Sequence, residues 1–143
     1  MEPQGNIENI LRFKGFRSPR YTQVPDEIFD ELMNVLSGAE LKVVLYIIRR
    51  TFGFKKDSDA ISLSQISNGI KTSDGRVLDR GTGLSKDSVA RATKSLEDLG
   101  VIVRGRMRSK ERGDEPTTYS LNIVLVSDFL TPPVDKIGHG GCQ

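Results

Sequence analysis

Ser37, Ser62 and Ser85 each stand at the head of an apolar segment with helical spacing. The last of these segments gives way at Gly100 to two period-two segments, with an arginine-dense loop between them. Together these observations predict an α+β fold: a winged helix-turn-helix, mainly helical, with a C-terminal β-hairpin wing. A chain of 143 residues is of ordinary size for one such domain. We expect a flexible or partly helical N-terminal arm over residues 1–23, the domain over 24–130, and a flexible tail or truncated linker over 131–143.

The arm has weak periodicity, broken by Gly15, Ser18 and Pro19, with a short helical turn around Ile7, Ile10 and Leu11. Pro25 brings the φ suited to a first helical turn, and Asp26 and Glu27 sit where the helix dipole favours carboxylates. Ile28, Phe29, Leu32, Met33 and Leu36 follow at three- and four-residue spacing and predict one buried stripe. Ser37-Gly38-Ala39-Glu40 is a capping box with Leu36 and Leu41 as its hydrophobic staple. The helix it opens runs through Leu41, Val44, Leu45, Ile48 and Thr51, and Gly53 marks its end. Val43 and Ile47 widen the stripe, which makes this the central helix, while residues 55–59 read as a solvated turn.

Ser62-Leu63-Ser64-Gln65 repeats the box between Ile61 and Ile66 and opens a short helix ending near Gly69. Residues 71–83 make a longer connection than a minimal helix-turn-helix has, with Asp74-Gly75 as a turn and Arg76, Val77 and Leu78 in a small hairpin arm. Ser85 caps the third helix, residues 86–99, and Gly100 suits a left-handed C-cap. On a helical wheel Val89, Ala92, Leu96 and Leu99 share one side with Thr93 at its edge, opposite Asp87, Ala90, Arg91, Lys94 and Asp98. Beyond Gly100, Val101 and Val103 alternate with Ile102 and Arg104. Residues 117–123 read as the returning strand, with Tyr119, Leu121 and Ile123 on one face, and 124–130 extend or finish the domain.

Composition excludes several classes of function. No run of about 18 apolar residues is present and no basic stretch leads into an apolar one at the start, so neither a membrane span nor a secretory signal is expected. Cys142 is the only cysteine, which rules out an intrachain disulfide and a four-cysteine zinc site; with His139 it falls in the glycine-rich tail, and a reducing cytoplasm is the expected setting. The region expected to fold has no histidine, no glycine-rich phosphate loop and no acidic motif with metal spacing. We therefore expect no enzyme, no metal and no cofactor.

The net charge is only +2, but it is unevenly spread. Residues 24–59 carry five basic and seven acidic groups, whereas 101–113 carry Arg104, Arg106, Arg108, Lys110 and Arg112 against Glu111 alone. Such a chain approaches a polyanion with one face. A short capped helix, a connection, a longer capped helix and a basic hairpin come in the order that sets one helix into a major groove. The candidate DNA-binding residues are Lys86, Ser88, Arg91 and Lys94 on that helix and Arg104, Arg106, Arg108, Lys110 and Arg112 in the wing. Arg91 can donate a fork to guanine, while Ser88 and Lys86 suit phosphate. Asp87 either accepts from cytosine or favours the helix N-terminus, with the balance toward the latter. Arg49, Arg50, Lys55 and Lys56 either extend the footprint or form a solvated helix end.

The chain resembles the N-terminal domain of the bacteriophage replication protein O family. The resemblance lies in Tyr21-Thr22-Gln23-Val24-Pro25, in Leu41 through Arg50-Thr51-Phe52-Gly53-Phe54, and in Ile61-Ser62-Leu63-Ser64-Gln65. It continues in Thr82-Gly83-Leu84-Ser85-Lys86-Asp87-Ser88-Val89, Leu96-Glu97-Asp98-Leu99-Gly100-Val101-Ile102 and Tyr119-Ser120-Leu121-Asn122, and so spans residues 21–123. It implies a winged helix that binds duplex DNA at a phage or mobile-element replication origin, with residues 86–99 as recognition helix and 101–123 as wing. Self-association on repeated sites is compatible with it. In the family a separate C-terminal part engages the replicative helicase or its loader; with only a tail or truncated linker expected after Thr131, that partner is expected through a part absent from this chain. A winged-helix transcription regulator and a protein-interaction adaptor are the competing readings.

Overall fold

The computed structural model describes residues 13–105 and 116–125. Residues 1–12 of the expected arm, the wing residues Arg106, Arg108, Lys110 and Arg112, the stretch 126–130 and the tail with His139 and Cys142 lie outside them. The elements are a π-helical turn α1 (Ile28–Leu32), helix α2 (Gly38–Thr51), strand β1 (Ser58–Ile61), helix α3 (Leu63–Asn68), strands β2 (Ile70–Lys71) and β3 (Val77–Asp79), helix α4 (Lys86–Asp98), and strands β4 (Ile102–Gly105) and β5 (Thr117–Leu121). The mixed helix-and-sheet class is the expected one. No helix among the described residues is long and apolar enough to cross a membrane.

The first helical segment is shorter than its stripe predicts. Met33 N donates to Ile28 O at 2.9 Å, which closes a wide turn, and Leu36 N then donates to Leu32 O. The wide turn keeps Ile28, Leu32 and Leu36 facing inward and rotates Phe29 and Met33 out, to 56% and 46% exposed.

Helix α2 begins at the expected box: Glu40 N donates to Ser37 Oγ at 3.1 Å, and Ser37 N donates to Glu40 Oε1 at 2.8 Å. It is the central helix, with Val43, Val44, Ile47 and Ile48 buried against Ile66, Val89, Leu96, Ile102 and Tyr119. Leu45, expected in the stripe, faces outward, and Tyr46 takes an inward place instead. The helix ends at Thr51, whose hydroxyl donates to Ile47 O at 2.8 Å. Gly53 lies in a following 3₁₀ turn, Phe52–Phe54, and it is Lys55 that adopts the left-handed conformation, φ 58°.

Residues expected as a solvated turn run into a strand. β1 joins a three-stranded antiparallel sheet in the order β1-β5-β4. Its inward positions are Asp59 and Ile61, so the polar one conceals the alternation that would have announced it. Asp59 and Arg104 are both register partners of Tyr119, and the three side chains form one row on the inner face. β5 places Tyr119 in the core, but it stops at Leu121 and leaves Ile123 exposed.

The connection between α3 and α4 folds as a hairpin, β2 antiparallel to β3 around Asp74-Gly75, as the turn signal predicts. Its base crosses α3's end backbone on backbone. Gly69 and Gly81 have φ of 87° and 71°, and a Cβ on Gly81 would sit 2.4 Å from Gly69 N. Only glycine fits both the conformation and the space.

Candidate nucleic-acid interface

Helix α4 is built as the cap predicts, with Ser88 N donating to Ser85 Oγ at 3.1 Å. At its other end Gly100, φ 82°, turns the chain, and Val101 N donates to Leu96 O at 2.9 Å. Val89, Ala92, Thr93 and Leu96 are buried, whereas Leu99, expected beside them, is 59% exposed. Leu99 is the C-cap residue, one step past the last turn that lies on the core.

The outward face carries Lys86, Asp87, Arg91, Lys94 and Asp98, all exposed, with Ser88 half-buried at its edge. Arg91 pairs with Asp87 and donates from Nη2 to Ser88 Oγ at 3.5 Å. Lys94 pairs with Asp98 at 3.2 Å. These are exposed pairs one turn apart, and they contribute only tenths of a kcal/mol, ~0.3–0.5 each. Such pairs hold the long side chains only loosely. A shallow groove beside this face runs to the start of α2, where Ser95 Oγ donates to Glu40. That bond, with the backbone N–H of Ser37, holds the Glu40 carboxyl below its ordinary pKa.

Arg104, expected among the DNA-binding cations of the wing, is turned inward. Its Nε and Nη2 donate to Glu97 Oε1 at 3.0 and 2.7 Å, and its Nη1 to Thr93 Oγ1 at 3.4 Å. The guanidinium is 15% exposed and ties β4 to α4.

Arg50 is likewise neither footprint nor solvated helix end. Its Nε and Nη2 meet Asp59 Oδ2 at 2.9 and 2.8 Å, and its Nη1 donates to Tyr46 Oη at 3.2 Å and Gln65 Oε1 at 3.3 Å. Tyr46 donates onward to Asp79 at 3.1 Å, and Asp79 also accepts from Gly81 N at 2.9 Å. Burial pushes the Tyr46 hydroxyl above its ordinary pKa, against the Arg50 hydrogen bond. Burial also pushes Asp59 up, but Lys56 and Arg50 outweigh it and hold the carboxyl below its ordinary value. Arg49 stacks over Phe54, 4.6 Å from the ring centroid, and Lys56 pairs with Asp59 at 2.9 Å. The network thus connects α2, the α3 cap, β1 and the hairpin. The i, i+4 spacing of Tyr46 and Arg50 was its only sequence signal.

A second set of cations was not singled out by sequence. Lys42, Lys71 and Arg80 line one open groove of about 700 Å³ at the hairpin base, and Lys42 Nζ donates to Thr82 O at 3.1 Å.

Helix α2, strand β1, helices α3 and α4, and then the β4–β5 pair follow one another in the order of a winged helix, with the loop 106–115 outside the described residues. Over residues 19–115 the chain matches the family model for Bacteriophage replication protein O, and it belongs to that family. Membership carries a role in bacteriophage replication. Comparison with curated proteins and with solved structures finds no match. Among the described residues no cluster of three or more His, Cys, Asp or Glu side chains could hold a metal ion.

Proposed function

We propose that the protein binds duplex DNA sequence-specifically at a phage replication origin, through a DNA-binding unit spanning residues 24–130. The observation that carries the reading is the outward face of α4, where Lys86, Arg91 and Lys94 are exposed on a helix whose opposite face is the core. In this reading α4 enters the major groove by its first turns, Arg91 leaves Asp87 to donate a fork to guanine, and Ser88, Lys86 and Lys94 meet phosphate or base edges. The wing cations Arg106, Arg108, Lys110 and Arg112 add phosphate contacts. Arg104, engaged with Glu97, sets the angle between wing and helix. Self-association on repeated sites is compatible with this reading, and no catalytic step is required. Recruitment of a helicase or its loader is assigned to none of the described residues.

The test is selection of bound sequences from a random duplex pool with the intact chain, the enriched sites being matched to the surrounding replicon. Repeated sites within the origin are expected. With Arg91→Ala, preference at one base pair should fall by about 1–3 kcal/mol while the fold persists. No enrichment over random sequence would overturn the reading. Enrichment of one palindrome beside a promoter would favour a transcription regulator.

A further inference from the structure

We propose that the β2–β3 hairpin is a second DNA-contacting element, an arm that grips the phosphate backbone beside the groove entered by α4. The inference rests on the DNA-binding reading and assigns a role to residues that reading does not use. Three observations carry it.

The first is charge. Asp79 lines the same groove as Lys71 and Arg80, but both carboxylates of the hairpin are already engaged by other groups. Asp79 accepts from Tyr46 and Gly81, while Asp74 sits in its own turn with Thr72 and Arg76. Among the described residues no carboxylate pairs with Lys71 or Arg80, both of which are exposed and line one groove with Lys42. A phosphate is the anion such an outward pair of cations fits. Val77 and Leu78, 46% and 58% exposed beside them, are apolar groups suited to a deoxyribose face.

The second is rigidity. A floppy loop would lose its ordering entropy on binding. This one is held by the Gly69–Gly81 crossing, by the Tyr46–Asp79 bond and by Thr82, whose N and Oγ1 both donate to Ile66 O at 2.8 Å. The third is place. The hairpin joins α3 to α4, and from Arg80 the chain reaches the α4 cap, Ser85, in five residues. If α4 meets base edges by its N-terminal turns, whatever precedes that terminus stands at the groove mouth, where phosphates line the edge.

The experiment compares the full chain with Lys71→Ala/Arg80→Ala and with the charge-keeping Lys71→Arg/Arg80→Lys, in salt titrations on a selected duplex. The alanine pair should lower the slope of log affinity against log salt by up to about 2, each lost phosphate contact being worth roughly 0.9. It should leave the preferred sequence unchanged, and the charge-keeping pair should retain the parental slope. A folded alanine pair with the parental slope overturns the inference, as does an equal loss in both pairs. Against misfolding of either pair, Ser73→Cys in a Cys142→Ser background, carrying a photoactivated cross-linker, should label duplex backbone at a flank of the site. No label above that on a competitor duplex lacking the site also overturns it. Parental protein that binds no duplex in a salt-dependent way overturns the DNA-binding reading itself, a result distinct from either hairpin outcome.

Discussion

Arg50 and Arg104 carry the same charge as the exposed arginines of α4, yet both are spent inside the molecule. The cross-strand row Asp59, Tyr119 and Arg104 joins them: at one end Arg50 clasps Asp59 to α2, and at the other Arg104 clasps β4 to Glu97 of α4. Removing one partner of such a little-exposed pair strands the other in a poor solvent. Asp59→Asn should therefore cost on the order of 3 kcal/mol at neutral pH. The pH dependence follows from the depressed Asp59 pKa. The folded state binds the proton less well than the unfolded chain, so the stabilisation is present above about pH 4 and is lost as pH falls through the folded value. Denaturant unfolding at pH 7 and pH 3 should show the gap between parent and Asp59→Asn closing at the lower pH. Both proteins keep some acid sensitivity, because the Glu40 carboxyl is depressed as well.

Among the elements, the hairpin is the most dependent on backbone geometry. Gly81→Ala would drive a Cβ to 2.4 Å from Gly69 N, whereas a Cβ on Gly75, φ 94°, has nothing within 4 Å. Gly75→Ala should cost only the strain of its backbone, about 1–3 kcal/mol, and Gly81→Ala clearly more. Thermal unfolding of the two variants side by side tests this. The three serine caps were legible because a cap is a local pattern, complete within four residues. The hairpin turn was legible from Asp74-Gly75 for the same reason. Strand β1 was not, since its inward Asp59 makes sense only beside Arg50, nine residues away and on another element. The stripe at α1 was over-read because a spacing of three and four assumes a regular α-helix, and the chain takes one wide turn instead.

For the whole molecule, the core is a single cluster that draws on α1, α2, α3, α4 and all three strands of the larger sheet. Leu96, fully buried at its centre, should cost about 2–5 kcal/mol as Leu96→Ala, read as a lower unfolding midpoint. The order of the helices and of the β4–β5 pair, and with it the winged-helix class, could be read from the sequence, although β1 between them could not. Which cations point outward could not, because that depends on where distant carboxylates arrive. Arg91 and Lys94 kept partners one turn away on their own helix, and Arg104 was taken inward by Glu97.

The two faces of α4 share almost no work. Lys86, Asp87, Arg91 and Lys94 are exposed, while Val89, Ala92, Thr93 and Leu96 hold the helix to the core. The outward positions can therefore vary at little cost to folding. On the proposed DNA-binding reading, a replicon that changes its recognition sequence and the protein that follows it need exchange only a few side chains, and a library randomised at those four positions on an otherwise unaltered chain is a direct test of retargeting.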